Sequence, residues 1–282
     1  MLLVPAFVPW VRYDCEVLKP EPQRPTRSPA ARYRHSLWLL TVRDLRVRYS
    51  TSFLGYFWSI LDPLVMAGIY WFVFTQVFAR PVGNEPYIVF LLCALLPWMW
   101  FNGAVSDSTR AFVREAKLIR STKIPRTIWV NQLVLLKGIE FFASIPVLIA
   151  FAVATGATVH WGAFLFPLGV ALQVVLTIGI GLIVAPLVVF FRDLERAVRL
   201  ALRFLFYASP IIYGLPDLAP LGLEQLAAFN PLSGIFSLYR AAFFPEQLEW
   251  FAVAVSAVMS LLILGLGVLV FRRTERAVLK EI

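Results

Sequence analysis

The stretch FFASIPVLIAFAVATGATVHWGAFLFPLGVALQVVLTIGIGLIVAPLVVFF, Phe141 to Phe191, runs for 51 residues without an Asp, Glu, Lys or Arg. Drawn as one helix it would measure roughly 75 Å at about 1.5 Å per residue, more than two hydrocarbon cores of about 30 Å each. Its only strong turn signal is Thr155-Gly156-Ala157-Thr158 with His160, so it predicts two membrane spans joined by a tight loop. Working outward, Gly55 to Phe78 is apolar except for Asp62, Tyr87 to Val105 and Trp250 to Phe271 carry no charge, and Leu200 to Leu215 carries only Arg203. Continuous apolar runs of this length exclude an outer-membrane barrel, whose strands alternate lipid-facing and lumen-facing residues.

The expected fold is therefore all-α and polytopic, with six transmembrane helices at about 55–78, 87–105, 130–154, 162–191, 200–215 and 250–271. Composition agrees, because 60% hydrophobic residues, 15% charged residues and a mean hydropathy of +0.75 leave too little polar surface to coat a water-soluble fold. Of the 26 Lys and Arg, nine precede the first span, six lie between Arg110 and Arg126, four between Arg192 and Arg203, and four after Phe271. Arg80 and Arg240 alone fall on the other side, which by the positive-inside rule puts both ends in the cytoplasm. The net charge of +9 then belongs to an anionic leaflet, and nucleic acid is excluded as a partner.

Residues 1–31 read as a flexible cytoplasmic lead-in with Pro20, Pro22, Pro25 and Pro29, and not as a signal peptide, since a basic n-region and a small-residue cleavage site are both lacking. Two isolated His and two isolated Cys predict neither a metal site nor a disulfide. Residues 32–54 predict an amphipathic interfacial helix, with Trp38, Val42, Leu45 and Tyr49 at helical spacing and arginines around them. Residues 272–282 read as a cytoplasmic tail. Between the fifth and sixth spans, Pro216 to Glu249 holds apolar pieces too short to cross, which predicts a pair of short re-entrant or surface helices broken at Asn230-Pro231.

Several segments resemble one family. Arg43-Asp44-Leu45-Arg46-Val47-Arg48-Tyr49 followed by Leu54-Gly55, Trp58 and Pro63, then Lys123-Ile124-Pro125-Arg126, Phe191-Arg192-Asp193-Leu194, and Asn230-Pro231-Leu232 with Tyr239-Arg240 fall in the order found in permeases of ATP-binding-cassette polysaccharide exporters. Ile124 stands where that family usually has Phe. The resemblance covers about residues 32 to 275. It implies a bacterial inner-membrane permease, a second copy of the chain, a cytoplasmic ATPase subunit, and a lipid-linked polysaccharide passing between the protomers. Arg outnumbers Lys by 21 to 5, as in GC-rich genomes, and in actinobacteria the resembling member exports the galactan precursor of arabinogalactan; that is the favoured cargo, with O-antigen and teichoic acid as the others.

The residues themselves support a transport subunit without its own catalysis. No Gly-x-x-x-x-Gly-Lys-Ser/Thr occurs, so the chain binds no cofactor by that device, and ATP and Mg fall to the partner ATPase. The docking candidates are Lys117, Arg120, Lys123, Pro125 and Arg126, with Arg192 and Asp193 at the second inside exit. Arg43, Arg46 and Arg48 are candidates for a substrate pyrophosphate, because guanidinium forks match phosphate oxygens bidentately; the plainer role is attachment to anionic lipid. Phe57, Trp71, Phe74 and Phe78 in the first span, with Phe204, Phe206, Tyr207 and Tyr213 in the fifth, offer flat faces on which sugars can slide. Asn230, Pro231, Tyr239 and Arg240 are candidates for an external gate, with a static cap as the simpler alternative. Lys137 and Glu140, one turn apart inside a span, predict an ion pair. An ion-coupled transporter would want more buried acids and an inverted repeat, and a membrane enzyme acting on polyprenyl-linked sugars would want converging carboxylates; neither pattern is evident.

Overall fold

In a computed structural model the described residues are 28–50, 55–77, 83–122 and 124–281, and they are mostly helical, with no strand among them. Helix α1 is Pro29–Ser50 and α2 is Gly55–Trp71, continued by a π turn over Phe72–Val77. Helix α3 is Tyr87–Ser108, and the short α4 (Ala111–Arg114) and α5 (Ala116–Ser121) follow it. Helices α6 (Ile128–Thr155) and α7 (Phe166–Phe190) divide the 51-residue apolar stretch at Gly156, which closes α6 in the left-handed conformation with φ +71°. Helix α8 is Leu194–Ala208, the pair α9 (Glu224–Ala228) and α10 (Pro231–Arg240) comes next, and α11 is Trp250–Glu281.

Among the described residues four helices are long and apolar enough to cross a membrane: Tyr87–Ser108, Ile128–Thr155, Trp161–Phe190 and Trp250–Glu281. Their burial ranks them, since the apolar window of α3 is 78% buried and that of α11 only 22%, so α3 is the central post and α11 a peripheral one. The other two expected spans are represented by α2 with its π turn and by α8. Helix α8 begins before the expected Leu200 and stops at Ala208 rather than Leu215. Pro210 has no N–H to continue the helix, and its ring holds Ser209 extended at φ −98°, ψ 148°. At the other end of the chain, α11 carries the expected tail as unbroken helix through Glu281.

Close helix packing rests on glycine. A Cβ at Gly179 of α7 would lie 2.7 Å from the Leu264 nitrogen of α11, and one at Gly234 of α10 would overlap the Ala252 carbonyl, so both helices approach α11 backbone to backbone. Gly234 N–H also donates to Ser256 Oγ at 3.0 Å. Every residue of α10 from Leu232 to Arg240 is buried, so this helix lies inside the bundle against α3, α7 and α11.

The non-helical turn after α8 is buried inside the bundle, where its carbonyls must find protein donors. Arg240, 2% exposed, supplies the donors: Nη2 to Ile211 O at 2.7 Å and Nη1 to Tyr213 O at 3.0 Å, with Nε toward Phe90 O at 3.4 Å. Its guanidinium lies 3.7 Å over the Phe90 ring, and Tyr87 Oη donates to the intervening Ile212 O at 3.0 Å. A lysine in this place could not span the fork. Arg240→Lys is therefore expected to strand at least one carbonyl at about 1–3 kcal/mol, and to lower the melting temperature of the detergent-solubilised protein by roughly 3–10 °C; an unchanged melting curve would show that the turn closes without it.

Candidate functional site

Three regions hold the candidate residues: a basic end formed by α1, α4, α5, the α7–α8 junction and the end of α11; aromatic rings on α2 and α8; and, at the opposite end, the hairpin of the partly exposed α9 and the buried α10. At the basic end, α1 is tied to α6 along its length. Asn131 Nδ2 donates to Tyr33 Oη at 2.7 Å, and Gln132 Nε2 donates to Asp44 Oδ2 at 3.2 Å. Arg43 bridges Asp44 at 2.7 Å and Glu115 at 3.2 Å. Arg48 lies 2.8 Å from Glu140 and 3.2 Å from Asp107, and Lys137 pairs with the other Glu140 oxygen at 2.8 Å, as the one-turn spacing of Lys137 and Glu140 predicts. Of the three arginines singled out for a phosphate, two thus face carboxylates, and Arg46 projects outward, exposed.

The segment between α3 and α6 folds as the two short helices α4 and α5. Phe112 and Ile119 are buried and anchor it, whereas Val113, Lys117, Arg120 and Pro125 face outward. Beside it lies a 750 Å³ groove lined by Arg110, Val113, Arg114, Val188, Arg192 and Glu195, among others. Arg192 and Asp193 are exposed at its edge. Across the groove Arg110 meets Glu195, which also pairs with Arg199 at 3.0 Å. The hydrogen bond from Arg110 is the largest influence on the Glu195 carboxyl and, with the charges of Arg110, Arg199 and Arg196, it outweighs an opposing desolvation and lowers the carboxyl from its ordinary value. What this bridge contributes is present above the ordinary glutamate range and is lost only as pH falls through that lowered value. Arg126 pairs with Glu275 of α11 at 3.5 Å. Asp107, Glu115, Glu195 and Glu275 carry no motif, and only the helix-helix contacts reveal their roles.

The aromatic candidates divide. Phe204 is 74% exposed, Tyr207 62% and Trp71 41%; Trp71 stands with exposed Val65, Ile69 and Phe72 on α2, and Phe204 and Tyr207 with exposed Leu200, Arg196 and Arg203 on α8. Phe206 is buried and belongs to the core, its ring 5.5 Å from Trp98 and 5.8 Å from Tyr70, and this second contact joins α2 to α8. Tyr213 Oη donates to Tyr207 O at 3.2 Å. The side chains of Phe57 and Phe74, and the whole of Phe78 and Lys123, lie outside the described residues.

At the hairpin, Asn230 caps α10 by accepting from Leu232 N–H at 3.0 Å, and its amide donates to Ser209 Oγ at 2.8 Å, tying the hairpin to the end of α8. Pro231 occupies the first helical turn. Tyr239 packs edge-on against Phe141 and Phe166, with centroids 5.8 Å and 5.2 Å away, and Arg240 fastens the turn that follows α8.

Comparison with known proteins agrees with this arrangement. Residues 35–244 match the ABC-2 type transporter family. The chain is 34% identical to an O-antigen export system permease protein RfbA of Klebsiella pneumoniae, over 85% of its own length and 92% of that protein. It is 31% identical to an RfbA of Myxococcus xanthus, over 77% and 83% of the two, and 26% identical to the polysialic acid transport protein KpsM of Escherichia coli, over 85% and 93%. A match that takes in most of α1, the central post and the α9–α10 hairpin, together with relatedness along most of the chain, establishes that this multi-pass inner-membrane protein belongs to the ABC-2 type transporter family.

Proposed function

We propose that the chain is the permease of an ATP-driven exporter that carries a lipid-linked polysaccharide out through the inner membrane, working as two copies with a cytoplasmic ATPase. Relatedness to O-antigen and polysialic acid export proteins supports the substrate class. The observation that carries the reading is the exposure of the Trp71, Phe204 and Tyr207 rings, because flat aromatic faces with the Tyr207 hydroxyl among them suit sugars in transit better than lipid tails alone. Two such sets of rings, one from each copy, would line a path that neither copy can enclose.

In this reading α1 lies in the cytoplasmic interface, α2 and α8 supply the first and fifth of six spans, both ends are inside, and the α9–α10 hairpin closes the path externally. The charge distribution supports that orientation. The exposed residues of α4 and α5, with Arg192 and Asp193, receive the ATPase, which holds ATP and Mg. The galactan precursor of arabinogalactan is the favoured cargo on the Arg-rich composition, ahead of O-antigen and teichoic acid. Arg46, exposed on α1 while its neighbours are bridged, is the guanidinium available to the cargo's phosphates.

Vesicles containing the permease and its ATPase should take up lipid-linked glycan only with ATP; equal transfer with a non-hydrolysable analogue would sink the exporter reading. Each exposed ring contributes about 0.5–1.5 kcal/mol of stacking, so Phe204→Ala with Tyr207→Ala should cut export about tenfold at matched expression, while basal ATP hydrolysis stays within about twofold. Arg46 and Arg48 should separate cleanly. Arg46→Gln is expected to abolish stimulation of the ATPase by lipid-linked substrate with no change in melting temperature, whereas Arg48→Gln should lower the melting temperature, because it leaves Glu140 and Asp107 short of a cation. Full substrate stimulation in Arg46→Gln would return Arg46 to lipid attachment.

A further inference from the structure

The last turns of α11 carry Arg272, Arg273, Glu275, Arg276, Lys280 and Glu281, yet they remain helical and do not hang free. Their inward side is apolar: Phe271 and Val278, two turns apart, are both buried, with Leu279 half-buried beside them. They pack against Phe112 of α4 and Ile119 of α5, the Phe112 and Phe271 rings standing 6.0 Å apart. Glu275 lies between those two apolar residues on the same face, at i+4 from one and i−3 from the other. There it reaches Arg126, 3.5 Å away, at the point where the α4–α5 segment re-enters the bundle as α6.

A helix end that simply faced water would have no reason to place a carboxylate between two buried apolar residues and opposite the single arginine that closes the neighbouring segment. The outward residues of that segment, Val113, Lys117 and Arg120, have no support of their own, because α4 and α5 span only four and six residues. Helices that short do not hold their conformation unaided. Their orientation is set from behind.

We propose that the final turns of α11 are a brace that positions the ATPase-docking segment: Phe271 and Val278 hold Phe112 and Ile119, and Glu275 fixes Arg126, so that Val113, Lys117 and Arg120 meet the partner subunit at a defined height and angle. This rests on the reading of α4–α5 as the docking segment. Glu275 and Val278 are positioning residues, acting through Arg126 and the buried rings. The same helix seats the hairpin at its other end through Gly234, Ala252 and Ser256, so the docking segment and the hairpin take their positions from one rod.

The test uses the intact permease–ATPase complex in vesicles, with Arg126→Glu, Glu275→Arg, the exchanged pair, Glu275→Gln, and Lys117→Glu with Arg120→Glu. Two quantities are read: glycan exported per ATP hydrolysed, and amide hydrogen exchange over residues 111–121. Each charge reversal should lower export per ATP about fivefold and speed exchange over 111–121 by a similar factor, the scale of a half-exposed ion pair. The exchanged pair should restore both to within about twofold, and Glu275→Gln, which cannot misfold by repulsion, should show the same direction with a smaller effect. Single variants that leave exchange over 111–121 unchanged, or an exchanged pair that recovers neither quantity, would overturn the brace. If instead Lys117→Glu with Arg120→Glu leaves export per ATP intact while the reversals at Arg126 and Glu275 still alter exchange, the docking reading fails and the brace on the segment stands.

Discussion

A buried backbone carbonyl must find a donor within the protein, and the way this chain meets that constraint around Arg240 shapes the half of the molecule opposite the basic end. The chain abandons helical hydrogen bonding after Ala208, at a point where apolar sequence continues on either side. Three successive carbonyls, those of Ile211, Ile212 and Tyr213, are then satisfied by side chains, two of them from Arg240 and one from Tyr87. A buried guanidinium is costly unless its donors are used, and here all three kinds of its nitrogen face carbonyl oxygens, with the Phe90 ring beneath the plane. The arginine thereby fixes the end of α8, the depth of α10 and the top of α3 relative to one another.

The basic end solves a different problem, that of holding α1 to the bundle. Tyr33, Leu37 and Leu40 pack on its core along the first turns, and further along the helix charge takes over the attachment. Arg43 with Asp44 and Glu115, and Arg48 with Asp107 and Glu140, form two bridged sets a little over one turn apart, each reaching a different element. Partly buried sets of this kind add specificity of placement more than net stability, since removing a single member leaves the others uncompensated. The contrast with exposed Arg46 between them is therefore informative: three arginines of one motif have been given different work by helical geometry alone.

Much of this architecture was legible in the sequence. The turn at Gly156, the break at Asn230-Pro231 and the pairing of Lys137 with Glu140 follow from local rules, since each depends on residues within one turn of each other. The boundary of α8 was misjudged at Leu215 because hydropathy continues past Pro210, although Ser209-Pro210 itself is a stop signal that outweighs hydropathy. The helicity of Arg272–Glu281 was hidden for the opposite reason: charge interrupts the apolar run, and the partners of Phe271 and Val278 lie some 150 residues away in α4 and α5. Among the path candidates, Phe204, Phe206 and Tyr207 are indistinguishable by residue type. Only the packing of Phe206 between Tyr70 and Trp98 shows that the middle ring is core and the flanking ones are surface.

Helix α11 brings the two ends into one mechanical frame. Its contacts with α7 and α10 are made where glycine removes the side chain, so backbone meets backbone at Gly179 and at Gly234 with nothing compressible between them. Packed interfaces of that kind shift as units and do not deform gradually. Helix α8 is held differently, by rings at its centre, by the Arg110–Glu195 bridge at one end and by Asn230 and Arg240 at the other. Against that close-packed unit α8 is joined by directional contacts: the Asn230–Ser209, Arg240–Ile211 and Arg240–Tyr213 hydrogen bonds cross the boundary, and each ties a residue at an end of α10 to the turn that follows α8.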